Sequence, residues 1–194
     1  MKDVWPLRVD NIYPYAYINN FLSKEECENI IKIGKSKGLK EAKVGVGGPG
    51  LLNKKIRKSS TNWLYPSDGL FDFFRKFTDA TISLNSQFYN FHIFSFSEGL
   101  QFTHYKAPGE HYGKHIDRGL HGGIRKLSIS IQLSDPKSYK GGDLHLYDGD
   151  EPTKTSREQG TLIMFPSFVL HEVKPVTKGE RFSLVAWVTG DPFK

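Results

Sequence analysis

The sequence predicts a mainly β fold of jelly-roll type with helices packed on one sheet. Three observations carry that expectation. From residue 88 onward, eight short segments alternate apolar and polar residues, with turn signals between them. Before residue 88, two stretches have helical periodicity instead, and helices followed by many strands pack onto the face of a sheet. The 194 residues suffice for one sizeable core, and no repeat or linker divides them. A single domain over residues 1–194 is therefore expected, with 1–87 as support and 88–194 as the β core.

Residues 11–22 (NIYPYAYINNFL) read as a strand and its turn. Ser23-Lys-Glu-Glu26 then has the form of a capping box. Leu22, Cys27, Ile30, Ile31, Ile33 and Gly34 fit an amphipathic helix to about Lys37, with Gly38 as its stop. Residues 41–58 are the least regular part, with four glycines and a proline inside six residues. A phosphate-cradling loop would need GK[ST] at a fixed offset, which is absent. Two readings stay open: a surface connection or hairpin tip, and a mobile lid over a site. Residues 56–65 (IRKSSTNWLY) read as one strand with Arg57 and Trp63 on a shared face. Pro66-Ser67-Asp68 is expected to open a second helix. Its buried stripe is Leu70, Phe73, Phe74, Phe77, Ile82 and Leu84, core residues by spacing. The β segments are YNFHIFSF, LQFTHYK, the stretch ending in His115-x-Asp117, KLSISIQLS, GGDLHLY, GTLIMFP, HEVKPV and RFSLVAWV.

Composition narrows the function classes. No run approaches the roughly 20 apolar residues of a membrane span, and the first ten residues lack a signal peptide's apolar stretch. One cysteine, Cys27, excludes an internal disulfide framework, so a cytoplasmic, reducing setting is expected. Cys27 is read as an ordinary helix residue, not a nucleophile. Residues 1–60 hold 12 Lys and Arg against 6 Asp and Glu, which accounts for the whole net charge of +6. That excess admits an acidic or nucleic-acid partner, or simply a solvated lysine-rich face.

The chemistry centres on Tyr105–Asp117, YKAPGEHYGKHID. On a strand, residues i and i+2 share a face, so His115 and Asp117 can present an imidazole and a carboxylate together. That is two thirds of a 2-His-1-carboxylate triad, which holds non-haem Fe(II) by one face and leaves other positions open. Alone among seven histidines, H-x-D is a weak signal. His171, after the apolar run GTLIMFPSFVL, is the nominated third ligand. Arg181 follows ten residues later on an alternating strand, where a forked guanidinium can bind a carboxylate. Metal on one side and arginine on the other suit a 2-oxo acid that carries a second carboxylate.

Three blocks resemble the prolyl-4-hydroxylase-like 2-oxoglutarate- and Fe(II)-dependent dioxygenases: YKAPGEHYGKHID, LSISIQLSDPKSYKGGDL and GTLIMFPSFVLHEVKPVTKGERFSLVAW. The third is similar to small bacterial and viral members. The resemblance spans about residues 88–190 and implies a double-stranded β-helix core, Fe(II), 2-oxoglutarate and O2 as cofactors, and ascorbate as a candidate reductant. It implies that His115, Asp117 and His171 bind iron and that Arg181 pairs with the distal carboxylate of 2-oxoglutarate. Tyr105 and Tyr112 would line the cosubstrate pocket, with Ser128, Ser130 and Gln132 on its strand and Trp187 closing it. Some relatives carry tyrosine where Gln132 stands. IRKSSTNW resembles the strand bordering the substrate groove in oxygen-sensing prolyl hydroxylases, which makes Arg57 and Trp63 candidate substrate contacts and favours the lid reading. The implied reaction is hydroxylation of a protein or peptide at proline, releasing succinate and CO2.

Among the other histidines, His104 or His111 is expected to face inward, His121 to be exposed in a glycine-rich turn, His145 to face away from Leu144 and Leu146, and His92 to be structural. Other function classes account for less of the sequence. A cupin-like metal-binding module leaves Arg181 and Tyr105 without a purpose. A nucleic-acid demethylase of the same superfamily typically has a second arginine where Trp187 stands, so nucleic acid is not expected as substrate. A small-molecule hydroxylase is the remaining alternative. A purely structural jelly roll does not account for the coordinated motifs.

Overall fold

The computed structural model describes residues 13–44, 50–96, 98–117 and 124–192. Expectations placed on 11–12, on the glycine-rich 45–49 and on His121 lie outside them. The chain runs β1 (Ala16–Ile18), α1 (Lys24–Ser36), β2 (Lys40–Glu41), β3 (Arg57–Lys58), β4 (Ser60–Leu64), a 3-10 turn (Pro66–Asp68) and α2 (Phe71–Phe88). The strands then follow as β5 (Ile93–Phe96), β6 (Leu100–Lys106), β7 (His111–His115), β8 (Arg125–Gln132), β9 (Lys140–Gly141) and β10 (Leu144–Tyr147). The last are β11 (Thr153–Lys154), β12 (Leu162–Pro166), β13 (Leu170–Val173), β14 (Val176–Lys178) and β15 (Glu180–Gly190).

The strands pair antiparallel into a major sheet, ordered β1-β12-β8-β15-β6-β4-β2 with β5 also on β15, and a minor sheet, ordered β11-β10-β13-β7-β3. A short β14-β9 pair stands apart. Neither sheet closes on itself. This is the expected jelly-roll class, with both helices on the outer face of the major sheet.

Alternation along the central strands feeds two different interiors. Phe102 on β6 and Phe182, Leu184, Ala186 and Val188 on β15 join Leu22, Cys27, Ile30, Phe77 and Leu84 in the core under the helices. The residues between them, Gln101, Tyr105, Arg181, Ser183, Val185 and Trp187, turn the other way and line a pocket between the sheets. The helices are set as their sequences direct. Ser23 accepts from the Glu26 amide at 3.2 Å and Glu26 accepts from the Ser23 amide at 2.7 Å, completing the capping box of α1. Gly38, at φ +74°, follows the end of the helix in a conformation that favours glycine. Gly34 lets α1 lie close to the sheet, because a Cβ there would stand 2.6 Å from the Phe102 ring.

Several expectations are corrected. Residues 56–65 are not one strand: β3 belongs to the minor sheet and β4 to the major, and the chain changes sheets at buried Ser59. HEVKPV divides into β13 and β14. Pro66–Asp68 forms a separate 3-10 turn, and Gly69 at φ +79° parts it from α2. On α2, Ile82 is 56% exposed. Thr81 takes the buried place, four residues after Phe77, and its hydroxyl is satisfied by the Phe77 carbonyl at 2.8 Å. His92 is not structural core; it lies exposed beside Asp191. No helix among the described residues is long and apolar enough to cross a membrane.

Candidate active site

The pocket between the sheets brings together His115 and Asp117, at and just past the end of β7, and His171 on β13. His115 and His171 are a direct cross-strand pair, and the Asp117 amide is held by the Ser167 carbonyl at 3.0 Å. One ligand atom from each of the three lies within 4.8 Å of the others. His115 Nε2 stands 3.7 Å from Asp117 Oδ1, and His171 Nε2 3.4 Å from Asp117 Oδ2.

The backbone fixes which nitrogen each imidazole offers. His115 Nδ1 lies 2.8 Å from the Gly113 carbonyl and His171 Nδ1 lies 2.9 Å from the Val169 carbonyl. A carbonyl oxygen only accepts, so both Nδ1 atoms donate. In the neutral rings Nε2 is then a free lone pair aimed into the cluster. Asp117 is oriented in turn by the Ser128 hydroxyl, which donates to Oδ2 at 2.7 Å and sits 3.0 Å from Ser167 Oγ. Two imidazole nitrogens and a carboxylate, with second partners in place, fit an Fe(II) ion.

The electrostatics match a site that must give up a proton to take a metal. Burial pushes the Asp117 carboxyl up, but His171, His115 and Ser128 outweigh it and hold Asp117 well below the ordinary carboxylate range. Burial pushes His171 down, yet the adjacent Asp117 carboxylate wins and raises it above its usual value. His115, desolvated and facing His171, is pushed down to about 4.

Arg181 is 1% exposed, and no acidic side chain pairs with it among the described residues. It donates to Gln132 Oε1 at 2.9 Å and to Ser183 Oγ at 3.3 Å, and its guanidinium carbon lies 5.4 Å from the Tyr105 ring centre. Its Nε has no partner. A buried guanidinium bonded only to neutral oxygens is costly unless an anion completes it, so this end of the pocket fits the second carboxylate of 2-oxoglutarate. Gly142, at φ +68°, helps make room: a Cβ there would stand 3.0 Å from Arg181 Cδ.

Most sequence-nominated residues meet here. Arg57, Tyr105, Tyr112, His115, Asp117, Ser128, His171, Arg181 and Trp187 all line the pocket. Gln132 reaches it only through its bond to Arg181, and Ser128 spends its hydroxyl on Asp117. Trp63 does not line it but packs on Trp187, ring centres 6.3 Å apart. Tyr112 lies nearly parallel to the His115 ring at 3.5 Å, and Arg57 covers its ring at 4.5 Å. His104 faces the other way, stacked on Phe182, and His111 bonds the Gly109 and Lys55 carbonyls. His145 does point away from buried Leu144 and Leu146.

Two features were missed by sequence reading. Gln101 accepts from Arg57 Nη2 at 2.8 Å while Ser59 accepts from Arg57 Nε at 2.9 Å, so a buried polar pair positions Arg57. The alternation of Gln101, Thr103 and Tyr105 in LQFTHYK contained that signal. The second is a register shift. His171 pairs with His115 but Val173 pairs with Tyr112, so two steps on β13 face three on β7. That brings Tyr112 and His115 to one pocket although their odd separation puts them on opposite faces of a regular strand.

Residues 100–189 match the model of the 2OG-Fe(II) oxygenase superfamily. The matched stretch holds His115, Asp117, His171 and Arg181, and it spans 90 of the 194 residues. The metal and cosubstrate named for that superfamily, Fe(II) and 2-oxoglutarate, are the ones that the donor set and the buried Arg181 fit. A PKHD-type hydroxylase of Idiomarina loihiensis is 40% identical to this chain over 81 residues, 41% of the chain and 37% of that protein. The chain thus matches well under half the length of that relative. Two solved structures share the fold. A Pseudomonas putida prolyl-4-hydroxylase superposes with a TM-score of 0.73 at 21% identity, covering 92% of this chain and 93% of that one. A Trichoplax adhaerens prolyl hydroxylase, bound to a hypoxia inducible factor oxygen degradation domain peptide fragment, gives 0.75 at 20% identity, covering 91% and 84%.

Proposed function

We propose that the protein is a single-domain Fe(II)- and 2-oxoglutarate-dependent hydroxylase of a protein or peptide, acting at proline. The observation that carries this is the meeting, in one pocket, of the His115–Asp117–His171 donor set and the otherwise unneutralised Arg181. A metal-binding module has no use for the second. The peptide-bound relative of the same fold supports a polypeptide substrate.

When bound, iron and 2-oxoglutarate supply oxidative decarboxylation by O2 to succinate and CO2, coupled to hydroxylation of a substrate C–H bond. His115, Asp117 and His171 would hold the metal. Arg181, set by Gln132 and Ser183 and flanked by Tyr105, anchors the distal carboxylate of the cosubstrate. Ile129, Leu144, Phe165, Val173 and Val185 line the walls with apolar groups and exclude water. Arg57, fixed by Gln101 and Ser59, presents donors on the substrate side, with Trp63 behind Trp187.

Anaerobic loading with Fe(II) and 2-oxoglutarate, followed by O2 with and without proline-containing peptides, tests the reading. Peptide-stimulated succinate and a one-oxygen mass gain on proline are expected. Peptide-independent turnover alone would overturn the polypeptide substrate, and no turnover with iron bound would overturn the enzyme.

A further inference from the structure

β2 and β3, in residues 40–44 and 50–58, are edge structure for the two sheets. β2 ends the major sheet and β3 ends the minor one. A bridge joins them on the chain, with Val44 and Leu51 exchanging amide bonds at 2.9 and 2.8 Å. β3 lies directly beside the strand that carries Tyr112 and His115, and the Gly113 amide donates to the Ile56 carbonyl at 2.7 Å. The pocket therefore opens next to this segment.

Its chemistry is one-sided. Between residues 40 and 58 stand Lys40, Lys43, Lys54, Lys55, Arg57 and Lys58, against Glu41 alone. Glu41 pairs with Lys54. Lys40, Lys43, Lys55 and Lys58 are exposed and have no acidic partner among the described residues. Among them stand large apolar side chains in the open: Leu51 is 77% exposed, Leu52 54% and Ile56 42%. Lysines alone would be an ordinary way to protect a sheet edge. Exposed leucines and isoleucine interleaved with unpaired lysines beside a pocket mouth are instead the two halves of a recognition surface. The patch offers aliphatic side chains, not the exposed rings on which nucleic-acid bases stack.

We propose that residues 40–44 and 50–58 dock the substrate polypeptide through an acidic, apolar-containing stretch flanking the hydroxylated residue. The inference rests on the reading of the site as a polypeptide hydroxylase and names the substrate class. Charge sets the partner, the apolar side chains give it contact area, and Arg57 is where the docked chain meets the pocket.

The test uses protein loaded anaerobically with Fe(II) and 2-oxoglutarate and three labelled peptides of equal length, each centred on Leu-Pro-Leu. Their flanks carry Asp and Glu, Ser, or Lys, and binding is followed by fluorescence anisotropy. The acidic peptide is expected to bind roughly tenfold tighter than the Ser peptide, with the advantage shrinking as salt is raised. The double variant Lys55→Glu with Lys58→Glu is expected to reverse the order towards the Lys peptide. Should its melting temperature show misfolding, the single variants Lys55→Gln and Lys58→Gln, each expected to reduce the acidic preference, replace it. Equal binding of the three peptides, binding of none, or an unchanged order in the variants overturns the proposal. So does a single-stranded oligonucleotide that binds where the acidic peptide does not. Succinate formed by the wild-type protein without peptide reports separately on the underlying enzyme. Its presence alongside indifferent peptide binding removes the docking surface and leaves the enzyme standing; its absence with indifferent binding removes both.

Discussion

The two faces of β6 and β15 are equally dry and chemically opposite. Phe102, Phe182 and Leu184 on the helix side are 0%, 5% and 1% exposed, and Tyr105, Arg181 and Ser183 on the pocket side are 3%, 1% and 1%. Burial therefore does not separate core from site. What separates them is whether the buried groups satisfy one another. The helix face is mainly apolar: rings stack on rings, as Phe102 does on Phe182 at 5.6 Å. The pocket face holds a guanidinium without an acid among the described residues, and three ligand atoms pointed at a common space. One face stabilises the fold and the other keeps unmet bonding capacity for a ligand.

The sharpest way to break this comparison is to remove an iron ligand. His115→Ala and His171→Ala are each expected to abolish succinate formation while leaving the fold intact, as read by activity and thermal melting. Loss of fold in either would mean that the triad serves the core. Next in size is a matched pair across one strand. Arg181→Met is expected to raise the 2-oxoglutarate requirement about a hundredfold with little loss of stability. It deletes a charge-assisted anchor but leaves only neutral Gln132 and Ser183 behind. Phe102→Ala is expected to do the reverse, costing roughly 3–5 kcal/mol in denaturant unfolding and sparing cosubstrate affinity in the molecules that remain folded. If both variants lose both properties, the faces are not separable.

A smaller effect concerns the proton held in the metal-free site. His171 is raised by Asp117, and Asp117 is lowered by the two imidazoles, so the pair retains a proton that a metal must displace. His115, down at about 4, stays neutral above that pH and does not compete. Metal affinity should therefore fall as pH drops below the raised pKa of His171, by up to about tenfold per pH unit, and level off above it. Titration calorimetry with Mn(II) in two buffers of different ionisation enthalpy should register release of about one proton in the falling range. No release there would sink the shared-proton account.

The sequence made this division partly legible. Period-two alternation set Arg181 and Tyr105 against Phe182 and His104, and the H-x-D spacing with His171 after an apolar run named the ligands. Local pattern could not show events that depend on pairing partners. The change of sheet at Ser59 leaves the alternation of IRKSSTNW unbroken. The register shift between β7 and β13 is invisible without its partner strand, yet it decides that Tyr112 stacks on His115. Gln101 and Arg57 stand 44 residues apart, and only the fold makes them neighbours. Ile82 shows the opposite case: hydrophobicity favours it for the buried stripe, but the turn geometry of α2 gives the buried position to Thr81.

The smallest expected effect tests whether the helix side can be weakened without touching the site. The capping box at Ser23 satisfies amides at the start of α1, and α1 seats Gly34 on Phe102, the residue between Gln101 and Thr103. Ser23→Ala removes the hydroxyl that accepts from Glu26 and should cost about 1 kcal/mol in urea unfolding. If the two faces of β6 are independent, the concentration of 2-oxoglutarate needed for half-maximal turnover stays at the wild-type value. A shift in that requirement, in protein still fully folded at the assay temperature, would show that the helix sets the position of Tyr105 through β6. Support and site would then be one mechanical unit. The unchanged value is expected because β6 is held on its two sides by β15 and β4, whose ladders do not pass through α1.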